Sequence, residues 1–283
     1  MKVFLYTAFA LTAFAFNSIL CRLALGTKEI DAASFTSVRL ISGVVALVLI
    51  SSFYDKKESI KKRGNWISAF FLFAYAICFS FAYVNLTTAT GALILFGSVQ
   101  TTMISAAVFS GEKPKITEWF GLIFAVGGLI YLVFPGLSSP PVSSSALMIF
   151  AGISWGFYTL RGRGSTNALA DTTGNFLRTI PMIALIALPF VSQIHSSPKG
   201  ILLAVLSGAI ASGIGYAVWY HALKFHTATR AAILQLSVPA LAAFGGVIFL
   251  AEMISTRLLL ATIIIFGGIA IAIAGRKYDK NKV

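Results

Sequence analysis

The chain has 283 residues, 58% of them hydrophobic and 11% charged, with a mean hydropathy of +0.88. Soluble domains carry about 25% charged residues, so this composition excludes a soluble enzyme, a secreted disulfide scaffold, a nucleic-acid binder and a disordered regulator. The formal charge of +13 fits a polytopic membrane protein, because cytoplasmic loops of such proteins are enriched in Lys and Arg.

A helix crossing about 30 Å of hydrocarbon needs roughly 20 mostly apolar residues. In chain order the segments that meet this are Val3–Leu20, Phe35–Phe53, Trp66–Val84, Gly91–Phe109 and Thr117–Phe134, then Ser144–Leu160, Thr173–Val191, Gly200–Tyr220, Ala231–Leu250 and Arg257–Ala274. The separators are short and rich in breakers, such as Asp55–Gly64, Pro135–Ser143 and Ser196–Pro198. None is long enough to fold alone. The expected fold is an all-α membrane protein of ten transmembrane helices.

The basic residues are distributed unevenly. Sixteen fall on the two termini and the 2–3, 4–5, 6–7 and 8–9 connections, and four (Arg22, Lys28, Lys199 and Arg257) fall on the opposite set. Arg39 and Arg178 lie inside helices. This bias puts both termini in the cytoplasm and the chain in the cytoplasmic (inner) membrane. Trp66 and Trp119 then begin helices 3 and 5 at the cytoplasmic interface. Lys2 and the apolar run after it have the look of a signal peptide, but no small-residue cleavage site follows, so the first segment reads as a helix. Cys21 and Cys78 form neither a disulfide framework nor a metal-ligand spacing.

The chain repeats itself. Thr88-Ala89-Thr90-Gly91-Ala92-Leu93-Ile94-Leu95 is echoed 139 residues later by Thr227-Ala228-Thr229-Arg230-Ala231-Ala232-Ile233-Leu234, and Ser98-Val99 by Ser237-Val238. Glu112 precedes Gly127-Gly128 by the spacing at which Glu252 precedes Gly267-Gly268, and Arg39 matches Arg178. Residues 1–137 therefore read as one repeat, 144–276 as a second, and 277–283 as a cytoplasmic tail. Five helices is an odd number, so the second repeat enters the membrane inverted. Inverted repeats mark secondary transporters, with a substrate site near the midplane and alternating access.

These residues resemble the EamA family of the drug/metabolite transporter superfamily. Tyr216-Ala217-Val218-Trp219-Tyr220-His221-Ala222-Leu223-Lys224 is similar to the aromatic run that ends its helix 8, and Thr229-Arg230-Ala231-Ala232 to the small-residue start of its helix 9. Ser237-Val238-Pro239 followed by Leu250-Ala251-Glu252 resembles its proline-then-glutamate pattern. In the first half, Phe14-Ala15-Phe16-Asn17 stands where the family often has Trp-Gly-x-Asn, Arg39 matches its helix 2 arginine, and Gln100 replaces the first-half proline. The resemblance implies ten helices around a central cavity and export of amino acids or other small metabolites.

Polar groups within a bilayer are costly and are functional candidates by default. Arg39 and Arg178 lie near their helix entrances, where an arginine either snorkels or bonds a neighbouring helix, or else gates the path or meets a substrate carboxylate. Asn17, Tyr83, Gln100, Trp155, Tyr158, Asn175, Tyr216, Trp219 and Gln235 either line the cavity or pack between helices. Pro239 is expected to disrupt helix 9 beside Gln235.

All nine acids fall outside the helix centres: Glu29, Asp31, Asp55, Glu58, Glu112, Glu118, Asp171, Glu252 and Asp279. That favours facilitated transport over carboxylate-driven antiport. His221 reads as an interface residue at the end of helix 8. Gly152-Ile153-Ser154-Trp155-Gly156 matches a nucleophile-elbow string, but it lies in mid-helix with no acid or His partner and reads as close packing. The expected partners are a small-molecule substrate and the lipid bilayer, without nucleic acid, cofactor or metal, and the choice between monomer and homodimer is open. An importer or exchanger of a nucleoside-type metabolite is the rival reading. A lipid-modifying membrane enzyme would need clustered His or acids at the cytoplasmic edge, where only His221 and His226 gather.

Overall fold

The computed structural model describes residues 2–54, 63–86, 88–112, 115–133, 141–190, 192, 194–250 and 256–274. These residues are almost entirely helical, and their β pairing is one isolated bridge between Ile30 and Ser196. The helices are α1 (Lys2–Gly26), α2 (Ala32–Tyr54), α3 (Trp66–Tyr83), α4 (Thr88–Phe109), α5 (Ile116–Val133), α6 (Val142–Gly162) and α7 (Ala168–Phe190). Next come α8 (Pro198–Leu206), a π-helical stretch (Ser207–Ile214) and α9 (Gly215–Leu223), which together form one rod. After them come α10 (Ala228–Gln235), α11 (Ser237–Leu250) and α12 (Thr256–Ala274). Among the described residues five helices are long and apolar enough to cross a bilayer: Lys2–Gly26, Ala32–Phe53, Trp66–Tyr83, Pro198–Leu223 and Ala228–Gly245. The tail at 277–283 lies outside the described residues.

Several helices begin earlier than hydropathy places them, because their first turns are polar and capped by side chains. Asp31 accepts from Ser34 N at 2.8 Å ahead of α2, and Asn167 from Ala170 N at 3.1 Å ahead of α7. Asn65, Ser197 and Thr227 do the same for α3, α8 and α10. Two predicted segments are not uniform helices. The eighth carries the π stretch. The ninth breaks at Leu236, where Pro239 has no N–H to offer the carbonyl of Gln235 four residues back.

The packing has a reciprocal pattern. α3 and α4 lie on α6, while the α8–α9 rod and α11 lie on α1. α2 crosses the π stretch, and α3 crosses α7. α2 with α7, α4 with α10 and α5 with α12 pair directly. Large apolar side chains such as Phe4, Phe53, Phe109 and Ile123 face outward, while Asn17, Arg39 and Gln235 are buried. This is the arrangement that lipid around the bundle requires.

One end of the bundle gathers the start of α1 with residues 63–65, 110–112, 163–167 and 224–227. There His226 Nε2 lies 3.0 Å from Thr7 Oγ1, Arg163 pairs with Glu112 at 3.1 Å, and Lys224 Nζ donates to the Thr166 carbonyl at 2.8 Å. Trp66 and Trp119 are exposed at the starts of α3 and α5. Glu112 accepts from the backbone N–H groups of Ala228 and Thr229, which caps α10.

Candidate functional site

α2 meets the π stretch backbone to backbone. A β-carbon at Gly208 would overlap the Arg39 carbonyl and Ser42 Oγ, and one at Gly43 would strike the Phe176 ring. Glycines at such a crossing let two helices approach as closely as their backbones allow. The closeness brings Ser212 to Arg39, whose guanidinium Nε donates to Ser212 Oγ at 2.9 Å. Nη2 donates to Tyr216 OH at 2.7 Å and reaches Tyr75 OH at 3.5 Å. The guanidinium carbon lies 5.4 Å from the ring centres of both Tyr75 and Phe79. Nη1 is buried without a hydrogen-bond partner.

Arg39 is 1% exposed and sits two turns inside α2, so it does not snorkel. The helix starts three residues before the predicted boundary, and the side chain points across the bundle. Beside it, Asn17 Nδ2 donates to Tyr75 OH at 3.3 Å and Ser207 Oγ donates to Asn17 Oδ1 at 2.6 Å. Trp155 closes the group, with ring centres 4.6 Å from Tyr216, 4.8 Å from Tyr75 and 5.2 Å from Phe14. Its indole Nε1 donates to Gln235 Oε1 at 2.7 Å. A π segment is often found at functional sites, and this one supplies both serines of the cluster.

The structure thus brings together Asn17, Arg39, Trp155, Tyr216 and Gln235. Tyr158 and Trp219 border them, at 5.6 Å from Trp155 and Phe14 respectively. Gln100 lies where α4 meets α10, its Nε2 donating to the Ala232 carbonyl at 2.5 Å, and Pro239 lies in the first turn of α11. Three candidates fall elsewhere. Tyr83 donates to the Thr88 carbonyl at the far end of α3. Asn175 accepts from Asn65 N at 2.9 Å and fastens the α2–α3 connection. Arg178 donates to the carbonyls of Arg63 and Gly174, at 2.6 and 2.8 Å, and lies over the Trp66 ring. Arg39 and Arg178 occupy matching places in sequence, yet only the first reaches the centre.

Tyr75, Ser207 and Ser212 are cluster members that sequence reasoning missed. Tyr75 is one aromatic among many in α3, and the serines gain their meaning from the π turn. Gly152 and Gly156 pack on Leu95, Ser98 and Thr102 of α4, so the Gly-x-Ser-x-Gly string is a helix contact, as expected. His221 is exposed and stacks edge-on with Tyr6, 5.0 Å between ring centres. Among the described residues no His, Cys, Asp and Glu side chains gather as a metal site.

Polar contacts tie the connections together at both ends of the bundle. At one end Asp31 accepts from His195 N at 3.0 Å, Ser197 Oγ donates to Glu29 Oε2 at 2.5 Å, and Lys199 pairs with Glu29 at 3.1 Å. The Ser197 and Lys199 contacts hold the Glu29 carboxyl below its ordinary pKa. Partial burial pushes Asp31 up, but hydrogen bonds from His195 and Ser34 overcome it and leave its pKa lowered. At the other end Gly64 N donates to Asp171 at 3.2 Å, Arg63 to Thr166 at 3.0 Å, and Arg161 to Asn65 at 3.1 Å. A recess of about 500 Å³ beside Tyr6, His221 and Lys224 and one of about 410 Å³ beside Lys28, Asp31 and His195 open at the two ends. Arg39, Tyr75 and Tyr216 line neither.

The signature of the EamA-like transporter family matches residues 1–134 and again 143–274. An uncharacterized protein of Pseudomonas aeruginosa is 46% identical over 97% of this chain and 96% of its own. The threonine/homoserine exporter RhtA of Escherichia coli is 30% identical over 64% of this chain and 63% of its own. The uncharacterized transporter YoaV of Bacillus subtilis is 24% identical over 86% of this chain and 88% of its own. A crystallised protein chain of the same fold superposes with a TM-score of 0.81 at 18% identity, covering 98% of this chain and 99% of the other. This integral membrane protein is a transporter and not an enzyme, and it belongs to the EamA-like family of the drug/metabolite transporter superfamily.

Proposed function

We propose that the chain is a ten-helix secondary transporter built from two inverted five-helix repeats. It exports a small metabolite, an amino acid or a related amphipathic solute, across the inner membrane with both termini in the cytoplasm. The observation that carries this reading is the buried Arg39–Tyr75–Tyr216–Trp155 cluster. It lies where α1, α2, α3, α6 and α9 converge, between two tied ends. A polar, aromatic-walled centre held away from both surfaces is what an alternating-access carrier needs.

Further facts support it. The family signature matches each half separately, and several helix contacts recur reciprocally, as when α3 lies on α6 and the α8–α9 rod lies on α1. The tie between the α1–α2 and α7–α8 connections has its counterpart at the opposite end, between α6–α7 and α2–α3. Export of an amino-acid-like solute agrees with the name of the Escherichia coli relative. The described acids all lie at helix ends or in connections, which favours facilitated transport.

Uptake and counterflow in proteoliposomes test the proposal against a panel of amino acids and nucleosides. The expected result is counterflow of at least one amino acid without an imposed pH or sodium gradient. Strict dependence on such a gradient with equal solute pools refutes the facilitated mechanism, and failure of every solute refutes the metabolite reading.

A further inference from the structure

We propose that Arg39 is the seat of a substrate carboxylate, so that the transported solutes are those with a free, singly charged carboxyl group. This deepens the transport reading above and rests on it. The guanidinium is a planar fork of five N–H donors that stays charged in proteins. Here Nε and Nη2 are engaged by hydroxyl oxygens of Ser212, Tyr216 and Tyr75, and Nη1 is buried with no acceptor. Among the described residues every hydrogen-bond partner of Arg39 is neutral. The five described acids lie elsewhere: Glu29 and Asp31 between α1 and α2, Glu112 between α4 and α5, and Glu118 and Asp171 in first helical turns.

A buried cation with no protein anion is costly unless it is paired, and the fold supplies no resident partner among the described residues. An anion that arrives and leaves with each transport cycle meets that need. The open donor group, with its two N–H bonds on one nitrogen, suits a carboxylate oxygen. One guanidinium balances one negative charge, so a monoanion fits better than a phosphate dianion. The surrounding groups suit the rest of an amphipathic acid. Phe14, Tyr75 and Trp155 offer ring faces for an apolar side chain or an ammonium group, and Asn17 and Gln235 add amide groups beside them.

The test uses the full-length protein, purified and in proteoliposomes. Threonine, homoserine and phenylalanine are each compared with their own carboxamides, which keep the side chain and ammonium but lose the charge. The expected result is that acids raise the melting temperature and drive counterflow at concentrations at least tenfold lower than the amides. Arg39→Gln abolishes the acid preference, Arg39→Lys restores part of it, and Arg178→Gln keeps it. Amides that match acids on the wild-type protein overturn the carboxylate seat while leaving the transport reading intact, and this arm needs no variant to fold. Retained acid preference in a folded Arg39→Gln protein also overturns it. If no acid, amide or nucleoside binds or moves, the transport reading itself fails.

Discussion

Removing one hydroxyl, in Tyr216→Phe, isolates what holds Arg39 in place. The ring and its contacts with Trp155 at 4.6 Å and Phe14 at 5.6 Å are retained. What disappears is the acceptor 2.7 Å from Nη2, together with a long 3.4 Å contact to Tyr75 OH, and the next oxygen from Nη2, Tyr75 OH, is 3.5 Å away, near the limit of a useful bond. Hydrogen bonds to charged groups contribute about 1.5–3 kcal/mol, and leaving the buried donor unpaired adds no compensation. An expected loss of about 2 kcal/mol corresponds to a fall in melting temperature of about 4–8 °C for a chain of this size class. Tyr220→Phe is the matched control, because its hydroxyl donates to a neutral carbonyl, that of Tyr158, at 2.9 Å. It should cost about 1 kcal/mol. The assay is thermal unfolding of both variants in one detergent at pH 7. A Tyr216→Phe protein that melts with the wild type, or above Tyr220→Phe, refutes the reasoning that Arg39 depends on this bond.

Two other perturbations probe the frame around the cluster. Gly208→Ala drives a β-carbon into backbone that cannot swing aside. It should cost about 3 kcal/mol, the upper end for overpacking, and Gly97→Ala, with open space around it, should be neutral or better in the same melts. His226 sits half-buried against Thr7, and burial, aided by Arg230, lowers its pKa to about 4 from 6.5. Between those values the unfolded chain holds a proton that the folded chain refuses, so stability rises with pH across that window. Melts at pH 5 and 7 should differ by up to about 2 kcal/mol from this group, less in proportion to its partial exposure to solvent, and His226→Gln should remove that share.

Much of the frame was legible because lipid imposes simple demands. Apolar runs located the helices, though not their polar first turns, where Asp31, Asn65, Ser197 and Thr227 act as caps. Pro239 foretold the break at Leu236. The centre was half legible. Asn17, Trp155, Tyr216 and Gln235 stood out as polar or amphipathic groups in apolar segments, and they meet. Arg39 and Arg178 show where such reading ends. Their local sequence contexts match, and only the partner across the bundle, Ser212 for one and the Arg63 carbonyl for the other, decides which is internal. Tyr75 was missed because an aromatic residue in α3 is ordinary until an arginine faces it. The π stretch escaped because hydropathy does not register one extra residue per turn.

That extra residue has a mechanical consequence. An α-helix turns by about 100° per residue, and a π turn closes its hydrogen bonds one residue later. Everything after Ile214 is therefore rotated by about 100° per inserted residue relative to an unbroken α-helix through the same position. With this offset Gly208 meets the backbone of α2, while Tyr216 reaches the Arg39 guanidinium and the rings of Phe14 and Trp155, and Trp219 meets Phe14. A change in the length of the wide stretch would act like a rotary selector, turning the lower aromatic face away from the guanidinium without moving the glycine crossing. In this rod, then, azimuth is set separately from position, and one arginine is met by the rod's backbone at the crossing and by its side chains a turn or two further on.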